Sequence, residues 1–100
     1  MQLQIESPHL VLSDRLTELV QRKFAGLGKK YQRMHSCDIT LQVEPGAIGK
    51  RLSVKAKIEY IKSRLFASAY ADSFEAALDH VIRSLEHQLR RVKEEREEIW

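Results

Sequence analysis

The chain has 100 residues, of which 43% are hydrophobic and 31% are charged, and its formal net charge is +3. This composition is typical of one globular domain and excludes a disordered chain, and no apolar run approaches the ~20 residues that a membrane-spanning helix needs. The first residues lack the basic-then-apolar pattern of a signal peptide. A single cysteine, Cys37, permits no internal disulfide and is typical of a reducing compartment. We therefore expect a cytoplasmic protein that does not bind a membrane, with Cys37 as a small buried hydrophobe on a strand.

Charge is distributed unevenly along the chain. Residues 15–64 contain 12 Lys and Arg against four acidic residues, a balance of +8, whereas residues 65–100 have a balance of −3. A basic surface of this kind is the usual footprint of a polyanionic partner.

The first elements are a strand and a helix. Apolar and polar residues alternate over residues 1–6, which predicts a strand. Ser13 is a good N-cap for the helix that follows, and Gly26 or Gly28 marks its expected end. The apolar face of this helix consists of Leu16, Leu19, Val20, Phe24 and Leu27.

Three further strands and a second helix follow. Alternation predicts strands near residues 37–43, 52–60 and 65–71, with turns at residues 45–49 and 62–63. Asp72 and Glu75 have the spacing of a capping box at the start of the last helix. The apolar face of that helix consists of Phe74, Ala77, Leu78, Val81, Ile82, Leu85, Leu89 and Val92.

The predicted order is therefore β-α-β-β-β-α, an α+β two-layer sandwich. We expect a four-stranded mixed sheet, in which the first two strands are parallel and the last three form an antiparallel meander. Each helix has one apolar stripe, so both helices should cover one face of the sheet. The other face should be wet, with Gln2, Gln4, Thr40, Gln42, Ser53, Lys55, Lys57 and Ser68. Residues 1–93 form the domain, and residues 94–100 form a charged helix end.

Basic residues recur at helical spacing beside both apolar faces. Arg15, Arg22 and Lys29 lie one heptad apart, and so do Arg83 and Arg90. Lys23 falls within the apolar arc of the first helix, where its stem can pack while its ammonium reaches solvent. A solvated helix face is the alternative interpretation of these charges. Lys55 and Lys57 either extend the basic surface or keep the sheet soluble.

Patterns of catalysis and metal binding are missing from the sequence. The four histidines have no metal-ligand spacing, and no nucleotide-binding or Ser–His–Asp pattern is visible. Asp79 is expected on the helix surface, within reach of Arg83 four residues on. The GXXG at residues 46–49 joins two predicted strands, which favours a hairpin turn over a nucleic-acid clamp. Phe66 and Tyr70 share a strand face, where they either stack on bases or act as a hydrophobic cover. We expect no enzymatic activity, no cofactor, no metal and no small-molecule substrate.

Four segments together resemble a known family: MQLQI at residues 1–5, KFAGLGKKYQRM at 23–34, LFASAYAD at 65–72 and SFEAALDHVIRSLEHQLRRVKE at 73–94. They are similar to the short-form ribosome hibernation-promoting factors and ribosome-associated translation inhibitors, the sigma-54 modulation protein family. The resemblance implies binding to rRNA of the small ribosomal subunit, in the channel used by mRNA and tRNA anticodon ends. It also implies that the protein keeps ribosomes idle in stationary phase or stress, without a cofactor or a reaction.

The resemblance turns the basic residues into candidate rRNA contacts. The expected contacts are Arg22, Lys23, Lys29, Lys30, Arg83, His87, Arg90 and Arg91, with Lys55, Lys57 and Lys93 as additional candidates. The acidic final turns argue against contacts beyond Lys93. The chain ends at Trp100, so we expect no dimerisation domain of the kind found in long-form relatives, and a monomer off the ribosome.

Two alternatives remain open. The β-β-β-α half has the element order of double-stranded RNA-binding modules, which recognise RNA by shape. A protein-interaction domain is the other alternative, in which the last helix docks Ile99 and Trp100 on a partner.

Overall fold

The computed structural model describes residues 2–8, 10–46 and 49–98. Its elements are β1 (Gln2–Glu6), α1 (Asp14–Lys30), β2 (Met34–Gly46), β3 (Gly49–Tyr60), β4 (Ser63–Ala71) and α2 (Phe74–Glu98). This order confirms the predicted β-α-β-β-β-α arrangement. The predictions made for His9, for the middle of the GXXG segment and for Ile99 and Trp100 lie outside the described residues.

The four strands form one mixed sheet in the order β1-β2-β3-β4. β1 is parallel to β2, while the β2–β3 and β3–β4 pairs are antiparallel. The β2–β3 ladder extends to the pair Gly46–Gly49, so these strands are longer than the alternation predicted. At the β3–β4 turn, Ile61 has φ 57°, a conformation that costs a β-branched residue on the order of 1–2 kcal/mol. Its partly buried side chain packs against the core.

Both helices cover the same face of the sheet. Every second residue of each strand points to this face. These residues form a single buried cluster with the apolar stripes of α1 and α2. Phe24, Leu41, Ile58 and Leu85 are among its fully buried members. The α+β sandwich is therefore confirmed. Gln88 of α2 also donates a hydrogen bond to the carbonyl oxygen of Phe66 at 2.9 Å, which fastens α2 to the edge strand β4.

α1 begins as predicted and ends later than predicted. The side chain of Ser13 accepts a hydrogen bond from the backbone N–H of Leu16, which confirms the N-cap. The helix continues through Gly26 and Gly28 to Lys30, so the predicted end at a glycine was wrong. Leu27 is only 4% exposed, and its burial offsets the cost of about 1 kcal/mol that each neighbouring glycine imposes on a helix.

The N-cap of α2 is Ser73, and the predicted N-cap Asp72 was wrong. The hydroxyl of Ser73 accepts a hydrogen bond from the backbone N–H of Ala76 at 3.1 Å, which satisfies a donor of the first turn. The N–H of Ala77 donates to the backbone carbonyl of Ser73 at 3.1 Å. Asp72 and Ser73 are both good N-caps by residue type. Because β4 ends at Ala71 and α2 begins at Phe74, Ser73 is the residue directly before the helix.

Cys37 is buried, as predicted for a small hydrophobe on a strand. Its side chain is 0% exposed in the core between the sheet and the helices. Burial, with a smaller contribution from the charge of Asp38, raises the pKa of the Cys37 thiol to about 12. The thiol is therefore neutral and protected at physiological pH.

Candidate nucleic-acid interface

Two ion pairs connect the helices. The ammonium of Lys23 lies 2.6 Å from a carboxylate oxygen of Asp79, and that of Lys30 lies 2.5 Å from one of Glu86. The partners advance by one heptad on both helices, so α1 and α2 run in the same direction. At 1.5 Å per residue the two pairs are roughly 10 Å apart along the helices. We call these four residues the seam.

The seam contains charges that neutralise one another. The same oxygen of Glu86 that binds Lys30 also lies 3.8 Å from the guanidinium of Arg90. The hydrogen bond with Glu86, followed by its charge, raises the pKa of Lys30, and the same bond lowers the pKa of Glu86. Because both shifts favour the charged forms, Lys30 and Glu86 remain an ion pair at neutral pH.

A basic stripe runs along α1 beside the seam. Arg15, Arg22 and Lys29 are exposed, and they form no ion pair within the described part of the chain. A depression of about 290 Å³ lies at the start of this stripe, and Arg15, Arg22 and Glu75 of α2 are among the residues that line it. The one-heptad spacing of the stripe, predicted from the sequence, lies entirely within the observed α1.

A second basic stripe runs along α2 on the other side of the seam. Arg83, His87, Arg90 and Arg91 are exposed, and Arg91 lies 3.9 Å from Glu95 one turn further on. Asp79 lies within reach of Arg83 along the helix, but its ion pair is with Lys23 across the helices. Arg83 is thus left without an ion pair among the described residues. We call the two stripes together the helix face: Arg15, Arg22, Lys29, Arg83, His87, Arg90 and Arg91.

Tyr31 supports the basic residues at the C-terminal ends of both helices. The ammonium groups of Lys30 and Lys93 lie 6.0 and 5.9 Å from the centre of its ring, within cation–π range. Tyr31 is only 3% exposed, so its ring is part of the core. Our sequence reasoning missed this residue. The sequence does contain a signal for it: Tyr31 directly follows Lys29 and Lys30 at the end of an amphipathic helix.

The open face of the sheet has a different electrostatic character. Lys57 lies across from Asp38 and Arg64 across from Glu59 in the strand register, and Lys55 lies 4.0 Å from Glu44. Acidic and basic residues therefore alternate on this face. Lys55 and Lys57 point away from the helices and are not part of the helix face.

Two aromatic side chains are exposed on the open face of the sheet. Phe66 and Tyr70 are 50% and 44% exposed, and the guanidinium of Arg51 lies 5.1 Å from the ring centre of Tyr70. Ser53 was predicted to be wet, which was wrong: it is 1% exposed and lies between Gln42 and Tyr70 in the strand register. This face thus presents aromatic rings among paired charges.

Residues 2–8, 10–46 and 49–98 contain neither a candidate metal site nor a candidate membrane span. No cluster of three or more His, Cys, Asp or Glu is arranged to hold a metal ion there. No helix in the described residues is long and apolar enough to cross a membrane.

Comparison with known proteins identifies the family. The family model described as sigma 54 modulation protein / S30EA ribosomal protein matches residues 3–97, so the chain belongs to this family. This result confirms the resemblance noted in the sequence. No curated protein matches the chain.

Solved structures share the fold. A ribosomal subunit interface protein from Coxiella burnetii is 22% identical, with a TM-score of 0.82, over 93% of this chain and 98% of that one. The N-terminal domain of Thermus thermophilus Protein Y is 17% identical, with a TM-score of 0.73, over 92% of this chain and 99% of the other. At these identities the likeness establishes the fold alone.

Proposed function

We propose that this protein binds the small ribosomal subunit through its helix face and keeps the ribosome idle in stationary phase or stress. In this proposal the domain occupies the channel used by mRNA and tRNA anticodon ends. Membership of the S30EA ribosomal protein family and the fold shared with a ribosomal subunit interface protein support it. Ribosome binding also implies a cytoplasmic location.

The observation that carries the proposal is the pairing of two exposed basic stripes on parallel helices. Arg22 and Lys29 lie on one side of the seam, and Arg83 and Arg90 lie on the other. Arginine and lysine side chains presented in rows suit the phosphates of folded RNA, which supply position and affinity without reading bases. The open sheet face offers no comparable excess of positive charge.

The proposed mechanism is steric exclusion. Phosphate contacts hold a compact α+β domain in a channel that mRNA and tRNA must otherwise enter, and no covalent chemistry is required. Residues 1–93 act as the binding domain, whereas the acidic residues after Lys93 lie outside the main contact because they would repel phosphate.

Co-sedimentation with purified small subunits tests the proposal. The protein should travel with the subunits at low salt, and the logarithm of its affinity should fall with the logarithm of salt concentration by about 0.7–0.9 for each phosphate contact. An excess of free duplex RNA should not displace it. If the protein stays at the top of the gradient at low salt, the proposal is wrong. Equal competition by duplex RNA would instead favour a general double-stranded RNA-binding module.

A further inference from the structure

The seam places two carboxylates in the middle of a surface that is otherwise suited to phosphate. Asp79 and Glu86 lie between the basic stripes, 2.6 Å from Lys23 and 2.5 Å from Lys30. Both lysines were predicted to contact rRNA, yet in the free protein each already binds an anion. RNA phosphate and these carboxylates therefore compete for the same ammonium groups.

The ion pairs are accessible to a competing anion. The side chains of Lys23 and Asp79 are 30% and 43% exposed, and those of Lys30 and Glu86 are 57% and 31% exposed. Exposed ion pairs of this kind are weak, so an incoming phosphate can exchange with the carboxylate. Glu86 is the more consequential competitor, because the same oxygen lies near both Lys30 of α1 and Arg90 of α2.

We propose that Asp79 and Glu86 are built-in competitors for RNA phosphate, which are displaced from Lys23 and Lys30 when the helix face binds. This inference rests on the proposed function and names the residues that limit the protein's affinity for RNA. The carboxylates hold the two lysines ready at positions roughly 10 Å apart, and they also lower the affinity for any RNA. Binding is therefore weaker, and more readily reversed, than the basic residues alone would make it.

The double variant Asp79→Asn, Glu86→Gln tests the proposal. Each change keeps the shape of the side chain and removes its negative charge. We expect the variant to bind small subunits about two- to fivefold more tightly for each carboxylate removed. Its salt dependence should be steeper, because more positive charge faces the RNA. The single variants should each show part of the gain.

Glu59→Gln is the control matched to each single variant, because it also removes one negative charge. It removes a carboxylate from the exposed, open face of the sheet, where Glu59 lies across from Arg64. If affinity rises equally in this control, the effect is one of net charge and the inference is wrong. Unchanged or weaker binding by the seam variants, with native circular dichroism, also overturns it. Failure of the wild-type protein to bind subunits at low salt would overturn the proposed function and this inference with it.

Discussion

The ring of Tyr31 stands edge-on to the ring of Tyr60, with centroids 5.8 Å apart and planes at 88°. Tyr31 directly follows α1 and Tyr60 ends β3, so the contact joins the end of the first helix to the sheet. The ammonium groups of Lys30 and Lys93 also lie within cation–π range of the Tyr31 ring. One aromatic pair thus connects the core of the domain with the basic residues of both helices.

Replacement of Tyr31 should affect both stability and binding. We expect Tyr31→Leu to lower the free energy of unfolding by roughly 1–3 kcal/mol, because an aromatic contact and packed volume are lost. Ribosome binding should weaken as well, because Lys30 and Lys93 lose the ring beneath them. Urea titration and co-sedimentation measure the two effects. Tyr31→Phe keeps the ring and should retain both properties; a loss of binding in this variant would show that the hydroxyl matters instead.

Gly26 offers a stabilising substitution in the C-terminal half of α1. A Cβ at this position would meet no atom within 4 Å, so alanine fits without a clash. We expect Gly26→Ala to raise the free energy of unfolding by about 0.5–1 kcal/mol, because alanine restricts the unfolded chain and favours the helix. Thermal unfolding measures the change. A lower melting temperature would show that α1 does not continue through this glycine.

The N-cap of α2 can be located by two alanine substitutions. Ser73→Ala should destabilise the protein by about 1 kcal/mol, because it leaves the N–H of Ala76 without its partner. Asp72→Ala, one residue earlier, should change stability much less. Urea unfolding of the two variants distinguishes the positions. A larger loss in the Asp72 variant would restore the cap that the sequence predicted.

Cys37 should make stability depend on alkaline pH. The folded pKa of about 12 lies above that of an exposed thiol, so the unfolded chain loses its proton first as pH rises. The stabilisation from the neutral buried thiol is fully present below about pH 8.5. Between about pH 8.5 and pH 12 the free energy of unfolding falls by at most about 1.4 kcal/mol for each pH unit. Comparison with Cys37→Ala isolates this effect, since that variant has no thiol. Parallel stability curves for the two proteins would contradict the assignment.

Hydrophobic periodicity predicted the element order and the face that each helix buries. Alternation in the strands and the three–four spacing of residues such as Phe24 and Leu85 are local patterns, and burial depends on them directly. The start of α2 was displaced by one residue because Asp72 and Ser73 are both capable caps. The end of α1 was missed because the burial of Leu27 outweighs the local preference of two glycines.

The seam could not be predicted from the sequence. The spacing along α2 places Arg83 within reach of Asp79. The register between α1 and α2, however, depends on how their apolar stripes pack on the sheet. That register brings Lys23 within 2.6 Å of Asp79. The basic stripes, by contrast, were predicted well, because one-heptad spacing on a single helix determines which residues share a side.

Charge reversal on the two faces of the domain tests most directly whether the helix face binds the ribosome. Arg83→Glu, Arg90→Glu should weaken co-sedimentation with small subunits by at least about tenfold and make the salt slope shallower by roughly 1.4–1.8, the value for two lost phosphate contacts. Lys55→Glu, Lys57→Glu makes the same change in charge on the open sheet face and should bind nearly as the wild type does. Circular dichroism should show both variants folded, because the residues lie outside the apolar core. Normal binding by the arginine variant, with loss of binding by the lysine variant, would contradict the account and assign the interface to the sheet.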